Sequence, residues 1–153
     1  MFDTAEGWYS WVGVSFVVTG LLAVVLGLPT APPPDARTAA IAVDGVVESD
    51  YAGRTTVDID ATRIRLTTQG VTLDSEHGTA HATFEAGPIV PVHSGPLAAV
   101  LDGANPRRVF AGPESYATAV KRASARRPAW QPAPETIHAR KLTWGETRVT
   151  LVG

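Results

Sequence analysis

The chain contains no cysteine among its 153 residues. That absence excludes disulfides, thiolate metal sites, a cysteine nucleophile, a prenylated C-terminus and any cysteine-linked lipid anchor. Charge is scarce as well: Asp, Glu, Lys and Arg make up 18% of the residues, against about 25% in an ordinary soluble domain. The formal net charge of −2 gives neither the basic excess of a nucleic-acid binder nor the acidic run of a solvating tail. Lysine occurs only twice, beside eleven arginines, and no Lys or Arg precedes Arg37. Phosphate-loop, dinucleotide, nucleophile-elbow and zinc motifs are all missing. The sequence therefore points to no enzyme and implies no cofactor. Its length suits one modest domain.

What is present is unevenly spread. The mean hydropathy, +0.05, averages two unlike pieces. A short acidic tail, residues 1–7 with Asp3 and Glu6, precedes a run at 8–28 that has no charge and fifteen apolar residues out of 21. A helix of that length spans about 31 Å at roughly 1.5 Å per residue, which matches a hydrocarbon core of about 30 Å. Prolines at 29 and 32–34 stop it. Trp8, Tyr9 and Trp11 form an aromatic cluster at its start, as expected at a lipid–water interface. A cleaved signal peptide would have a basic leader, a shorter apolar run and a small-x-small site, so 8–28 reads as a single transmembrane helix. Gly13, Gly20 and Gly27 recur every seven residues, with Ala23 four before the last. Such a stripe lets a second helix approach closely. Membrane lipids, and other membrane proteins or a second copy through this helix, are the expected partners.

Residues 29–34 read as a stiff proline-rich spacer, and 35–153 as a soluble α+β domain. Asp35 is placed to cap a helix running to about Tyr51, with a stripe of Ala36, Ala40, Val43, Val47 and Tyr51. Strand alternation follows. Val57 and Ile59 alternate with Asp58 and Asp60, and Ile64 and Leu66 with Arg63 and Arg65. A tight turn at Ala61-Thr62 would face Asp58 with Arg65 and Asp60 with Arg63, a salt-bridged ladder rather than a metal or acid–base pair. A turn at Gln69-Gly70 leads to Val71 and Leu73, and further strands are expected at 80–84 and, as a proline-bearing edge, at 88–92. Helices are expected at 96–101 and 113–125, the second with Pro at its first position. A loop carrying Trp130 precedes a closing hairpin, 136–144 and 146–152, turned at Gly145. The expected product is one mainly antiparallel sheet with two to three helices. Phe84, Phe110, Tyr116, Trp130 and Trp144 are the expected large core residues.

Four histidines, His77, His81, His93 and His138, lack metal-ligand spacing. The charge distribution says more than its total. Residues 35–105 sum to −6 and 106–153 to +6. Arg107, Arg108, Lys121, Arg122, Arg126 and Arg127 are candidates for a basic face toward anionic lipid or an acidic partner. The plainer explanation is cations crowding a helix C-terminus, partly paired with the acidic half. No aromatic interleaving accompanies these arginines, so nucleic acid is not an expected partner.

The arginine-over-lysine usage, the acidic head and the boundary Leu28-Pro29-Thr30-Ala31-Pro32-Pro33-Pro34-Asp35 carry a resemblance. So do Gly78-Thr79-Ala80-His81-Ala82-Thr83-Phe84, the following Gly87-Pro88, and Val149-Thr150-Leu151-Val152-Gly153. The chain resembles a family of uncharacterised haloarchaeal single-pass membrane proteins, whose members tend to be encoded near secretion ATPase and membrane-platform proteins of type IV pilus-like systems. That resemblance implies an accessory or minor structural role in such an assembly, with the domain outside the cell. Arg37 alone flanks the span, and the positive-inside rule would put it on the cytoplasmic side. Two functions are thus expected to compete: an anchored structural or interaction protein, and an anchored ligand-binding or sensory domain. A pocket lined by convergent polar groups would favour the second.

Overall fold

The computed structural model describes residues 32–153. The acidic tail, the 8–28 segment with its aromatic cluster and glycine stripe, and the start of the spacer lie outside the described residues. Among the described residues, no helix is long and apolar enough to cross a membrane.

Asp35 opens α1, Ala36–Glu48. Its carboxylate accepts from the Thr38 hydroxyl at 2.6 Å and from the Thr38 N–H at 2.9 Å. Those two bonds, the hydroxyl first, hold the carboxyl below its usual range. The helix buries Ala36, Ala39, Ala40, Val43 and Val46. It ends three residues before Tyr51, which is 85% exposed and belongs to no stripe. The Ser49 hydroxyl explains the early stop, donating back to the Val46 carbonyl at 2.9 Å in competition with the helical ladder.

Two four-stranded sheets follow. The first has the order β1 (Arg54–Asp58), β7 (Thr136–Trp144), β8 (Thr147–Val152), β5 (Ile89–Pro91). The second runs β4 (Gly78–Thr83), β3 (Gly70–Ser75), β2 (Arg63–Leu66), β6 (Gln131–Pro132). Every pairing is antiparallel except β5 with β8. The α+β class and antiparallel character stand, but there are two sheets rather than one. The helices number four in the described residues: α1, α2 (Pro96–Leu101), α3 (Pro106–Val109) and α4 (Pro113–Ser124).

The expected β1–β2 hairpin does not form. Ile59 N–H donates to the Glu135 carbonyl beside β7, while Thr62 N–H donates to the Asp74 carbonyl of β3. Within three residues the chain changes sheet. A two-residue hairpin there would need positive φ at its turn, and Ala61-Thr62 supplies no glycine or asparagine. Arg63 consequently pairs with Asp74, not Asp60, at 2.6 Å across the β2–β3 register. The Thr79 hydroxyl first, and then Arg63, keep the Asp74 carboxyl below its usual range. Asp58 stands opposite Thr136 in β1–β7 and does not meet Arg65.

The core has two parts, one on each face of the first sheet. Ile137, Ala139 and Val152 face α1 and the second sheet, with Ile64, Leu66, Val71, Leu73 and Phe84. Val149 and Leu151 face the other way, into Leu97, Val100, Tyr116 and Val120 of the helices. Tyr116 is fully buried against Phe110 and Trp144, ring centroids 5.5 and 5.7 Å away. Trp130 is no core residue. It is 38% exposed and lies beneath the guanidinium groups of Arg63 and Arg65, 5.2 and 5.0 Å from its ring centre, where cation–π attraction and stem packing retain it.

β7 also fixes the helices to the sheet. Successive side chains of a strand point to opposite faces. Arg140 donates to the Val100 and Ala104 carbonyls at the end of α2. Lys141, its neighbour, donates to the Val47 and Ser49 carbonyls at the end of α1, the first at 2.7 Å. Neither helix carries a basic residue in its own last turn. The strand supplies the cation that their exposed carbonyls and dipoles favour.

Candidate functional site

Among the described residues, the strongest concentration of unpaired cationic chemistry lies where β5 leaves the first sheet. The chain passes from Pro91 through His93 and Ser94 into α2, forming one wall of a depression of about 510 Å³. The opposite wall is α4, which presents Ser115, Thr118 and Arg122 at helical spacing, with Arg126 two residues past its end. Val92, Leu97 and Phe110 make an apolar floor. A second depression of about 370 Å³ shares His93 and Arg126 and adds Thr67, Thr68, Gln69 and Arg127. Together they form one groove along the end of α4.

Among the described residues, no carboxylate lines either depression. The charge is therefore of one sign and is directed at solvent. His93 is half-buried, and its burial first, then the nearby Arg126 guanidinium, pull its pKa below the usual 6.5. At neutral pH its ring is uncharged, able to donate from one nitrogen and accept at the other. The arginines supply forked donors suited to carboxylate or phosphate oxygens. The groove can thus hold an anionic group against an apolar floor.

Of the six basic residues singled out from sequence, Arg122, Arg126 and Arg127 line this groove. Lys121 neighbours Arg122 on α4 but does not line it. Arg107 and Arg108 lie exposed on the single-turn α3, also outside it. His93 was weighed from sequence only as a metal ligand; the signal for a groove residue was a polar His93-Ser94-Gly95 link between an edge strand and a proline-started helix, where binding residues concentrate.

Two other histidines serve structure. The His81 ring pairs with the Thr72 hydroxyl at 3.0 Å, and His138 pairs with Thr56 at 3.1 Å. Among the described residues, no group of three or more His, Asp or Glu side chains is arranged to hold a metal.

These features define a small two-sheet α+β domain with a basic, carboxylate-free groove at one end. The chain belongs to a family of unknown function, DUF7283, whose family model matches residues 3–142. No curated protein and no solved structure matches it.

Proposed function

We propose that this protein is a membrane-anchored interaction protein that works by assembly rather than catalysis. The carboxylate-free groove of His93, Arg122, Arg126 and Arg127 carries this reading, because a one-signed concave surface selects an acidic partner and rejects a basic one. The uncharged run at 8–28 would hold the domain at the membrane, and the proline spacer would keep it a short, fixed distance from the headgroups. The resemblance to the haloarchaeal single-pass proteins supports a minor or accessory place in a type IV pilus-like or secretion assembly, with the domain extracytoplasmic.

The test is a pull-down of the full chain from detergent-solubilised membranes, wild type beside the double variant Arg122→Glu, Arg126→Glu. Wild type should recover assembly components that the charge-reversed chain loses. A wild-type chain that brings down nothing would overturn the reading. A second reading, an anchored ligand-binding domain, is favoured by the concavity of the groove and its Leu97 and Phe110 floor. It requires a small amphipathic acid to raise the melting temperature of the wild type and not of Arg126→Glu.

A further inference from the structure

The basic groove is graded along its length. Phe110, which meets Tyr116 edge-on near the start of α4, belongs to its apolar end. Arg126, just past the end of α4, belongs to the other, which opens into the polar depression of Thr67, Thr68 and Gln69. Between them α4 presents Ser115, Thr118 and Arg122 over about 10 Å, at roughly 1.5 Å per residue. That is the reach of about three extended residues at roughly 3.3 Å each. An apolar group and an anion on one short segment thus find their partners at opposite ends of one path.

The wall opposite α4 is a sheet edge, since β5 pairs with β8 on one side only. Thr150 N–H donates to the Pro88 carbonyl at 3.0 Å, and Val92 N–H to the Val152 carbonyl at 2.7 Å. Backbone groups of successive residues alternate in direction, so those of Pro91 and His93 point away from β8. Both residues line both depressions. Among the described residues, neither the Pro91 carbonyl nor the His93 N–H has a hydrogen-bond partner. Pro91 has no N–H of its own, which blunts the edge against an antiparallel strand. A parallel strand does not need it. One residue of such a strand donates to the carbonyl before its opposite number and accepts from the N–H after it, here Pro91 and His93 on either side of Val92.

Resting on the interaction reading above, we propose that the acidic partner enters this groove as an extended segment parallel to β5. The residue opposite Val92 donates to the Pro91 carbonyl and accepts from the His93 N–H. Val90 and Val92 face the helices, so the alternate side chains of the added segment face α4. Two of them, at positions i and i+2, stand about 7 Å apart. One is apolar and covers the Leu97 and Phe110 floor; the other is a carboxylate held by Arg122 and Arg126, which offer the forked donors it prefers. A lipid headgroup supplies an anion but no main-chain N–H and C=O in this spacing, and so leaves the β5 edge unpaired.

The probes are two blocked pentapeptides bearing a neutral fluorophore, glycine-leucine-threonine-glutamate-glycine and the reverse order. Binding to the full chain in mild detergent at low salt is read by fluorescence anisotropy. One order should bind about tenfold more tightly than the other, because a parallel register fixes which end meets the arginines. Glutamine in place of the glutamate, or Arg126→Glu in the protein, should weaken the better probe about tenfold or more. N-methylation of either its leucine or its glutamate, whichever stands opposite Val92, should cost about fivefold, the loss of one hydrogen bond. Binding of both orders alike, with N-methylation at neither position having an effect, overturns the proposal, since charge alone then explains the attraction. Binding to phosphatidylglycerol vesicles and to neither peptide overturns it too. If neither peptide binds but charge-sensitive capture of membrane partners persists, this mode of entry fails and the assembly reading stands; if both are lost, both fail.

Discussion

The Tyr116 hydroxyl is buried with no hydrogen-bond partner among the described residues, and burial pushes its pKa up to about 12. An unpaired buried hydroxyl costs about 1–3 kcal/mol of desolvation. Tyr116→Phe keeps the ring between Phe110 and Trp144 and removes that cost. Denaturant unfolding of the variant should show stability unchanged or raised by up to about 1 kcal/mol. His93 makes a different test. Its folded pKa is depressed, so the folded state resists protonation that the unfolded chain accepts. Its contribution is complete above pH 6.5, is lost as pH falls below that value, and stops changing beneath the depressed folded pKa. His93→Gln should flatten this limb of the stability profile. The later fall contributed by Asp74, which begins below pH 3.8, should persist. Both side chains were ordinary letters in the sequence. Tyr116 was assigned to the core, but nothing local showed that its hydroxyl would find no partner.

Elements were more legible than their partners. The proline-started helices at 96–101 and 113–125 and the Gly145 hairpin are where the patterns put them, because proline at the first turn and glycine at positive φ act locally. The single-turn α3 was missed, since four residues hold no periodicity. Sheet membership was misread because alternation reveals which side chains share a face and says nothing of which strand lies alongside. β1 and β2 have suitable alternation for a hairpin and yet join different sheets. Lys141 is a related case, an interior strand cation whose role depends on a helix 92 residues away. Removing its ammonium while keeping the stem, Lys141→Met, strands two helix-end carbonyls. It should cost about 1.5–3 kcal/mol, the range for hydrogen bonds to charged groups, whereas exposed Arg148→Met should stay within about 0.5 kcal/mol. Gly70→Ala should be destabilising as well, because a Cβ there runs into the Ala82 carbonyl of β4.

For the whole molecule, charge that nearly cancels in the total is locally one-signed. The −6 and +6 halves of the domain sequence do not simply neutralise each other: the described residues hold a single ion pair, Arg63–Asp74, inside the acidic half. The arginines at the end of α4 remain available to a partner. That segregation was legible in the sequence, but its concave shape was not, because the groove also needs His93 and the β5–α2 link from 30 residues upstream. Association through the groove should weaken steeply with ionic strength, as counterions screen exposed charge over about 8 Å at 0.15 M. Measuring capture of the proposed acidic partner between low and high salt checks this.

β8 follows every other strand in sequence and yet sits inside the first sheet, between β7 and β5. β1 and β5 are synthesised early and must wait for it: Thr56 stands opposite His138, 82 residues on, and Val90 opposite Leu151. Until those residues emerge, the first sheet has no centre, and both halves of the core lack a wall. Contacts so distant along the chain place folding toward the slow end, about milliseconds to seconds, and refolding followed by stopped-flow fluorescence should fall there. A chain that cannot close its sheet before β8 appears is still unfolded while most of it is being made. Unfolded polypeptide is also the state in which a chain can be threaded through a narrow channel.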